Sequence, residues 1–140
     1  VSGSYISGDY IGTSSSAMIF AGCAKTNGGT GYIMGATLVD YLKKDVAGEL
    51  WIFDSAVTPP ADNAAWTITD DDSSHLIKVI PINTYYDSAL NSVSCGDMFN
   101  GNAEFKCLAG STSLYGCFVT RGAPYYMTGD LTFRLYGLQD

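Results

Sequence analysis

Apolar and polar residues alternate with period two in several stretches of this chain. In Ala103-Glu104-Phe105-Lys106-Cys107, apolar residues alternate with charged ones. In Leu131-Thr132-Phe133-Arg134-Leu135-Tyr136, the apolar Leu131, Phe133 and Leu135 fall on one side, with Thr132 and Arg134 on the other. Trp66-Thr67-Ile68-Thr69 repeats the pattern. Successive side chains of a strand point to opposite faces, so each stretch predicts a strand with one face on a core and one in water.

Other runs are apolar on both faces: Tyr32 to Leu42, Leu50 to Phe53, Leu76 to Ile82 and Leu114 to Val119. Their Val, Ile, Thr and Tyr content, with Gly35 inside the longest, favours strand over helix. They fit central strands, or strands covered by a neighbouring subunit. Turn chemistry separates the runs: Asn27-Gly28-Gly29, Ala47-Gly48, Thr58-Pro59-Pro60, Asp70 to Ser74, Asn100-Gly101-Asn102, Ala109-Gly110-Ser111 and Thr128-Gly129-Asp130. Asp70 to Ser74 is expected to be the loop of a hairpin between Trp66–Thr69 and Leu76–Ile82. A short helix is allowed between Tyr85 and Phe99, where Asp87-Ser88-Ala89-Leu90 permits one.

About eight strands at this spacing predict an all-β fold. One-sided burial is met by packing two sheets, so we expect an antiparallel β-sandwich, jelly-roll-like in its connectivity. Residues 1–16 are rich in Ser, Gly and Tyr and poor in aliphatics, and read as an extended N-terminal arm or a loosely held edge strand. Residues 17–140 then form a single β-sandwich domain, an ordinary domain length. Val1 stands where an initiator Met would, which predicts removal of a preceding residue or segment.

Composition narrows the function. The net charge of −7 repels phosphate backbones and anionic bilayers, so neither nucleic acid nor membrane is an expected partner. No run reaches the length of an apolar membrane helix. The cysteines Cys23, Cys95, Cys107 and Cys117 lack metal-ligand spacing, and buried reduced thiols are favoured over a Cys107–Cys117 link across a hairpin.

Candidate chemistry is sparse. His75 is the single histidine, and no Gly-x-Ser-x-Gly elbow accompanies it. Asp70-Asp71-Asp72 lacks the EF-hand pattern and reads as a solvated tip. The two glutamates, Glu49 and Glu104, give no sign of facing each other across a cleft. Asn27-Gly28-Gly29-Thr30-Gly31 is not followed by the Lys-Ser/Thr of a phosphate loop. No catalytic residue, cofactor or metal is expected, and the chain is read as a non-enzyme. Aromatic pairs in predicted loops, Tyr85-Tyr86 and Tyr125-Tyr126, offer rings to a partner.

The segments Gly28-Gly29-Thr30-Gly31-Tyr32, Leu50-Trp51-Ile52-Phe53, Thr58-Pro59-Pro60-Ala61-Asp62-Asn63-Ala64-Ala65-Trp66, Ala109-Gly110-Ser111-Thr112-Ser113-Leu114-Tyr115-Gly116 and Leu131-Thr132-Phe133-Arg134-Leu135 occur in that order. From Gly28 to Gln139 the chain resembles capsid decoration, or cement, proteins of tailed bacteriophages. The resemblance implies a virion structural protein on the outer capsid surface. Such a protein is a β-sandwich, commonly a homotrimer, that bridges major capsid protein subunits without an enzymatic step or cofactor. The expected contact residues are Tyr5, Ile6, Tyr10 and Ile11 of the arm, with Tyr85, Tyr86, Tyr125 and Tyr126. Two rival expectations are a carbohydrate- or receptor-binding module of a tail fibre or lectin, and a hydrolase using His75.

Overall fold

The computed structural model describes residues 2–96 and 101–140. It contains twelve strands: β1 (Ser2–Ser4), β2 (Tyr10–Ile11), β3 (Met18–Phe20), β4 (Thr30–Asp40), β5 (Gly48–Phe53), β6 (Leu76–Ile82), β7 (Tyr85–Asp87), β8 (Ser92–Gly96), β9 (Ala103–Lys106), β10 (Leu114–Thr120), β11 (Tyr125–Met127) and β12 (Leu131–Gln139). One five-residue helix, α1 (Asp70–Ser74), interrupts them.

Two five-stranded antiparallel sheets make the sandwich. In the first, β2 and β3 both pair with β10, followed by β5 and β6. The second runs β12-β4-β8-β7, with β9 beside the first part of β4 and β8 beside the second. A small β1–β11 ribbon adds to them. The all-β sandwich expected from the alternation is thus what forms. Two pairings, β5 with β6 and β7 with β8, join strands consecutive in sequence.

The runs that are apolar on both faces became β4, β5, β6 and β10, and the reason differs between sheets. Inward, Ile33, Ala36 and Leu38 of β4 meet Leu50, Ile52, Ile80, Ile82, Leu114 and Phe118 in one continuous core. Phe118 and Phe133 bridge the sheets with ring centroids 5.0 Å apart. Each such aliphatic or aromatic side chain contributes about 1.5–3 kcal/mol by leaving water. Close approach is also needed at Gly48, where a Cβ would lie 2.3 Å from the Phe118 ring.

Outward, the first sheet is covered by its own chain. Phe53, Cys117 and Tyr10 form a second cluster with Val57, against which Trp51, Trp66, Ile68 and Tyr115 pack. The Trp66 ring lies 5.5 Å from Trp51 and 5.8 Å from Tyr10. This explains why Trp66–Thr69 is not the strand that its alternation predicts. Its apolar side chains are drawn onto the back of β5 and β10, and the backbone N–H of Trp66 donates to Gly8 O at 2.8 Å. Asp70–Ser74 is likewise not a hairpin loop but α1. Thr69 caps it by accepting from Asp72 N at 3.0 Å, and three aspartates occupy the first turn, where the helix dipole favours anions. Trp66→Ala is expected to lower stability by roughly 2 kcal/mol, less than a fully buried Trp would cost because the ring is only partly buried. Urea unfolding followed by circular dichroism measures it.

The N-terminal segment follows its edge-strand alternative rather than the arm. Over its described residues it is not a free arm: β1 pairs with β11, β2 pairs with β10, and Tyr5, Tyr10 and Ile11 are buried. The Tyr5 hydroxyl donates to Asp62 at 3.0 Å and Gly12 N donates to the same carboxylate at 3.2 Å. Tyrosines can enter a core once their hydroxyls find acceptors, so a count of aliphatics understates what this segment buries. The short helix allowed between Tyr85 and Phe99 is absent from its described part, which is β7 and β8. Its last positions, and Asn100 of one predicted turn, lie outside the described residues.

All four cysteines are free. Cys107 faces the inter-sheet core while Cys117 faces the outer cluster, so the two lie on opposite sides of the first sheet.

Candidate interaction surface

Strand register brings Asp40, Gly48, Ile82, Ser92, Thr120 and Leu131 to one end of the sandwich. There the β4–β5 loop is organised around the fully buried carboxylate of Asp40. Its Oδ1 accepts from Leu42 N at 2.9 Å. Its Oδ2 accepts from Lys44 N at 2.8 Å, Asp45 N at 3.1 Å and the Tyr126 hydroxyl at 2.7 Å. Lys43 and Asp45 adopt the left-handed region, both at φ 51°, which turns their neighbours' N–H groups inward. Ser92 donates to Asp45, and the Tyr85 hydroxyl donates to Val46 O at 2.8 Å. Burial, then the bond to Asp40 and its charge, pushes the Tyr126 phenol far up. Burial, then the charges of Asp40 and Asp45, does the same to Tyr85. The base of this end is therefore rigid and polar inside.

Its rim is apolar outside. Ile6, Tyr86, Leu90 and Tyr125 are 68%, 66%, 83% and 51% exposed, and Tyr41, Leu42 and Met127 are exposed as well. Chain connections place them together. Tyr41 N donates to Asp130 O, and Tyr5 N to Pro124 O, both at 2.9 Å. Lys43 bonds Ser88 O at 2.6 Å and approaches Asp87 at 3.5 Å, tying the loop to the β7–β8 turn that carries Leu90.

Of the residues expected to meet a partner, Ile6, Tyr86 and Tyr125 are exposed at or beside this end. Tyr85 is half-buried. Tyr5, Tyr10, Ile11 and Tyr126 are buried within the chain and present no surface of their own. The two pairs, expected in loops, lie in strands β7 and β11, so each splits into one outward ring and one inward ring, because neighbours on a strand alternate. Tyr41, Leu42, Leu90 and Met127 were not singled out from the sequence. Tyr41 and Leu42 fall in a run that reads as strand to its end but leave β4 after Asp40, Leu90 sits in the β7–β8 turn, and Met127 closes β11.

No family model, curated protein or solved structure matches this chain.

Other candidate centres resolve as follows. His75 Nδ1 meets Asp54 Oδ1 at 2.7 Å, clamping the far end of the β5–β6 pair. Among the described residues no Ser, Thr or Cys side chain hydrogen-bonds this histidine. Glu49 accepts a two-pronged bond from Arg121, at 3.0 and 2.6 Å, and one from Trp51 Nε1 at 3.1 Å. The Arg121 bond above all holds its carboxyl below the usual range. A glycosidase acid needs the opposite shift. Glu104 stands on β9 opposite Tyr32 of β4, exposed. Among the described residues no three His, Cys, Asp or Glu side chains gather as metal ligands, and Asp70–Asp72 lie unburied along α1. A cleft of about 380 Å³ opens between β3 and β12, lined by Ile19, Phe20, Cys23, Phe105 and Leu135 among others, with no charged side chain. Among the described residues no helix is long and apolar enough to cross a membrane.

Proposed function

We propose that this chain is an adhesive structural protein of a phage virion, a decoration protein that seats on the outer capsid surface and bridges major capsid protein subunits. It works by contact, with no chemical step and no cofactor. The observation that carries the reading is the rim of exposed Ile6, Tyr41, Leu42, Tyr86, Leu90 and Tyr125 on a rigid, internally hydrogen-bonded sandwich end. Exposed aromatic and aliphatic residues of this kind anchor protein interfaces. The choice of partner rests on the resemblance of the ordered sequence segments to capsid decoration proteins. Many copies on one shell add their modest contacts, so each interface need not be strong.

Co-sedimentation with heads stripped of the protein tests the reading. The wild-type chain is expected to bind saturably and to protect heads against heat-induced DNA release. The triple variant Ile6→Ser/Tyr86→Ser/Tyr125→Ser is expected to fold normally and bind at least roughly tenfold more weakly, the equivalent of about 1.4 kcal/mol. Wild-type protein that stays in the supernatant at every concentration refutes the proposal.

The second reading is a carbohydrate- or receptor-binding module. The exposed rings of Tyr86 and Tyr125 favour it, because aromatic faces stack on sugars. The sandwich itself supports it only by analogy. Binding to a glycan array that Tyr86→Ser and Tyr125→Ser each abolish would establish this reading in place of the first.

A further inference from the structure

A sandwich has four edges, and an edge strand exposes every second N–H and C=O to any strand that comes by. Natural proteins blunt such edges by shortness, proline or charge. Three edges here are blunted in that way. β7 has three residues, β9 on the same side of β4 has four with Glu104 and Lys106, and β2 and β3 have two and three. β6 is longer, but it carries Lys78 and Pro81. The fourth edge, β12, has none of these devices. It runs for nine residues without proline, its one charge is Arg134, and among the described residues no strand pairs with its outer side.

β12 is also regular. Its register with β4 shifts between Tyr136 and Gly137, but the extra residue is Met34 of β4, so β12 itself carries no bulge. Leu131, Phe133 and Leu135 point into the sandwich, while Thr132, Arg134, Tyr136 and Leu138 stand on the open face. Among the described residues nothing covers that open face, whereas the other sheet's is covered. Leu138 pairs with Tyr32, and both are exposed together with Tyr136.

We propose that β12 pairs antiparallel with β12 of a second copy of this chain about a two-fold axis, joining the two second sheets into one. The strand's own sequence selects this occupant. Overlap of all nine residues puts its midpoint, Leu135, on the axis. Arg134 then faces Tyr136 of the second copy on both sides, and Thr132 faces Leu138. The guanidinium lies across from an aromatic ring, and none of the nine strand pairs sets like charges together. A slip of two residues one way sets Arg134 against Arg134. A slip of two the other way leaves the start of the strand unpaired. Slips by one are excluded, because they would put inward side chains beside outward ones. Just beyond the strand ends, Asp130 falls opposite Asp140 of the second copy. Salt screens this repulsion, so association tightens as ionic strength rises.

Sedimentation equilibrium of the whole chain over a concentration series tests the proposal. The expected mass rises from 14.9 kDa toward that of two copies. Tyr136→Arg sets a second guanidinium opposite Arg134 on both sides of the axis and is expected to weaken pairing roughly tenfold or more. Adding Arg134→Glu to that variant restores the pairing by turning both contacts into ion pairs. Both positions are exposed, so unchanged circular dichroism separates lost pairing from lost folding. Four results overturn the proposal: a monomer at every concentration, a three-copy mass, a dimer indifferent to Tyr136→Arg, or β12 amides protected from exchange only when a different protein is added.

Discussion

Asp40→Ala is expected to lower the unfolding free energy by about 4 kcal/mol, the largest single-residue effect in the molecule. The estimate follows from what the carboxylate does. It accepts four hydrogen bonds in a fully buried site, and bonds to charged groups are worth about 1.5–3 kcal/mol each, though not additively. Alanine leaves three backbone N–H groups and the Tyr126 hydroxyl without their acceptor. It also removes what holds Lys43 and Asp45 at positive φ. Tyr126→Phe deletes one of those bonds without orphaning the rest, and is expected to cost about 1–2 kcal/mol. Urea unfolding checks both, with a lower midpoint and an unchanged slope as the expected signature. A cost below about 1 kcal/mol for Asp40→Ala would mean the loop is not organised by this carboxylate. Because the same loop carries Tyr41 and Leu42, the variant should also weaken whatever binding the rim supports.

Alkaline unfolding is the second large effect. Burial is the leading cause that raises the phenols of Tyr10, Tyr85 and Tyr126 well above their ordinary value, and it pushes the Cys117 thiol up to about 12. In the unfolded chain the thiol ionises near pH 8.5 and the phenols near pH 10. Above those values the unfolded chain releases protons that the native chain still holds. Fewer bound protons in the unfolded state make stability fall as pH rises. Stability is therefore full below about pH 8.5 and is lost progressively above it. Each fully buried group contributes up to about 1.4 kcal/mol per pH unit, and half-buried Tyr85 contributes less. The chain should unfold cooperatively between about pH 10 and 12, since a few groups acting together exceed a typical domain's stability. Phenolate absorbance from the buried rings should appear only as circular dichroism is lost, and Tyr126→Phe should make the dependence shallower. Gradual phenolate absorbance from a chain that stays folded would contradict the assignment of these rings to the interior.

Much of the fold was legible. Ala103–Lys106 and Leu131–Gln139 alternate because each has one face on the core, and a period of two survives any tertiary arrangement. The runs at β4, β5, β6 and β10 were legible as strands, but their second apolar face had no visible partner. For β5 and β10 the cover is the long connection holding Val57, Trp66 and Ile68. That cover is also why the alternation at Trp66–Thr69 misled: packing against a sheet's back surface can use the same spacing as pairing at its edge. For β4 and β12 no cover exists among the described residues, and the open face remains.

The candidate surface was less legible. Tyr85-Tyr86 and Tyr125-Tyr126 each predict an accessible ring, but which ring depends on strand register. Tyr5, Tyr10 and Ile11 look available only while their neighbours are unknown. Asp40 gave no signal at all, as one aspartate at a strand end among many.

By itself, the order of residues determined the strand character of this chain, its low content of chemically paired groups and its acidic charge, because these follow from local spacing and composition. Tertiary structure alone decided which tyrosines are walls and which are surface, which carboxylate organises a loop, and which edge is left open. Those are questions of what lies opposite a side chain across tens of residues of sequence, and only strand register and sheet order answer them.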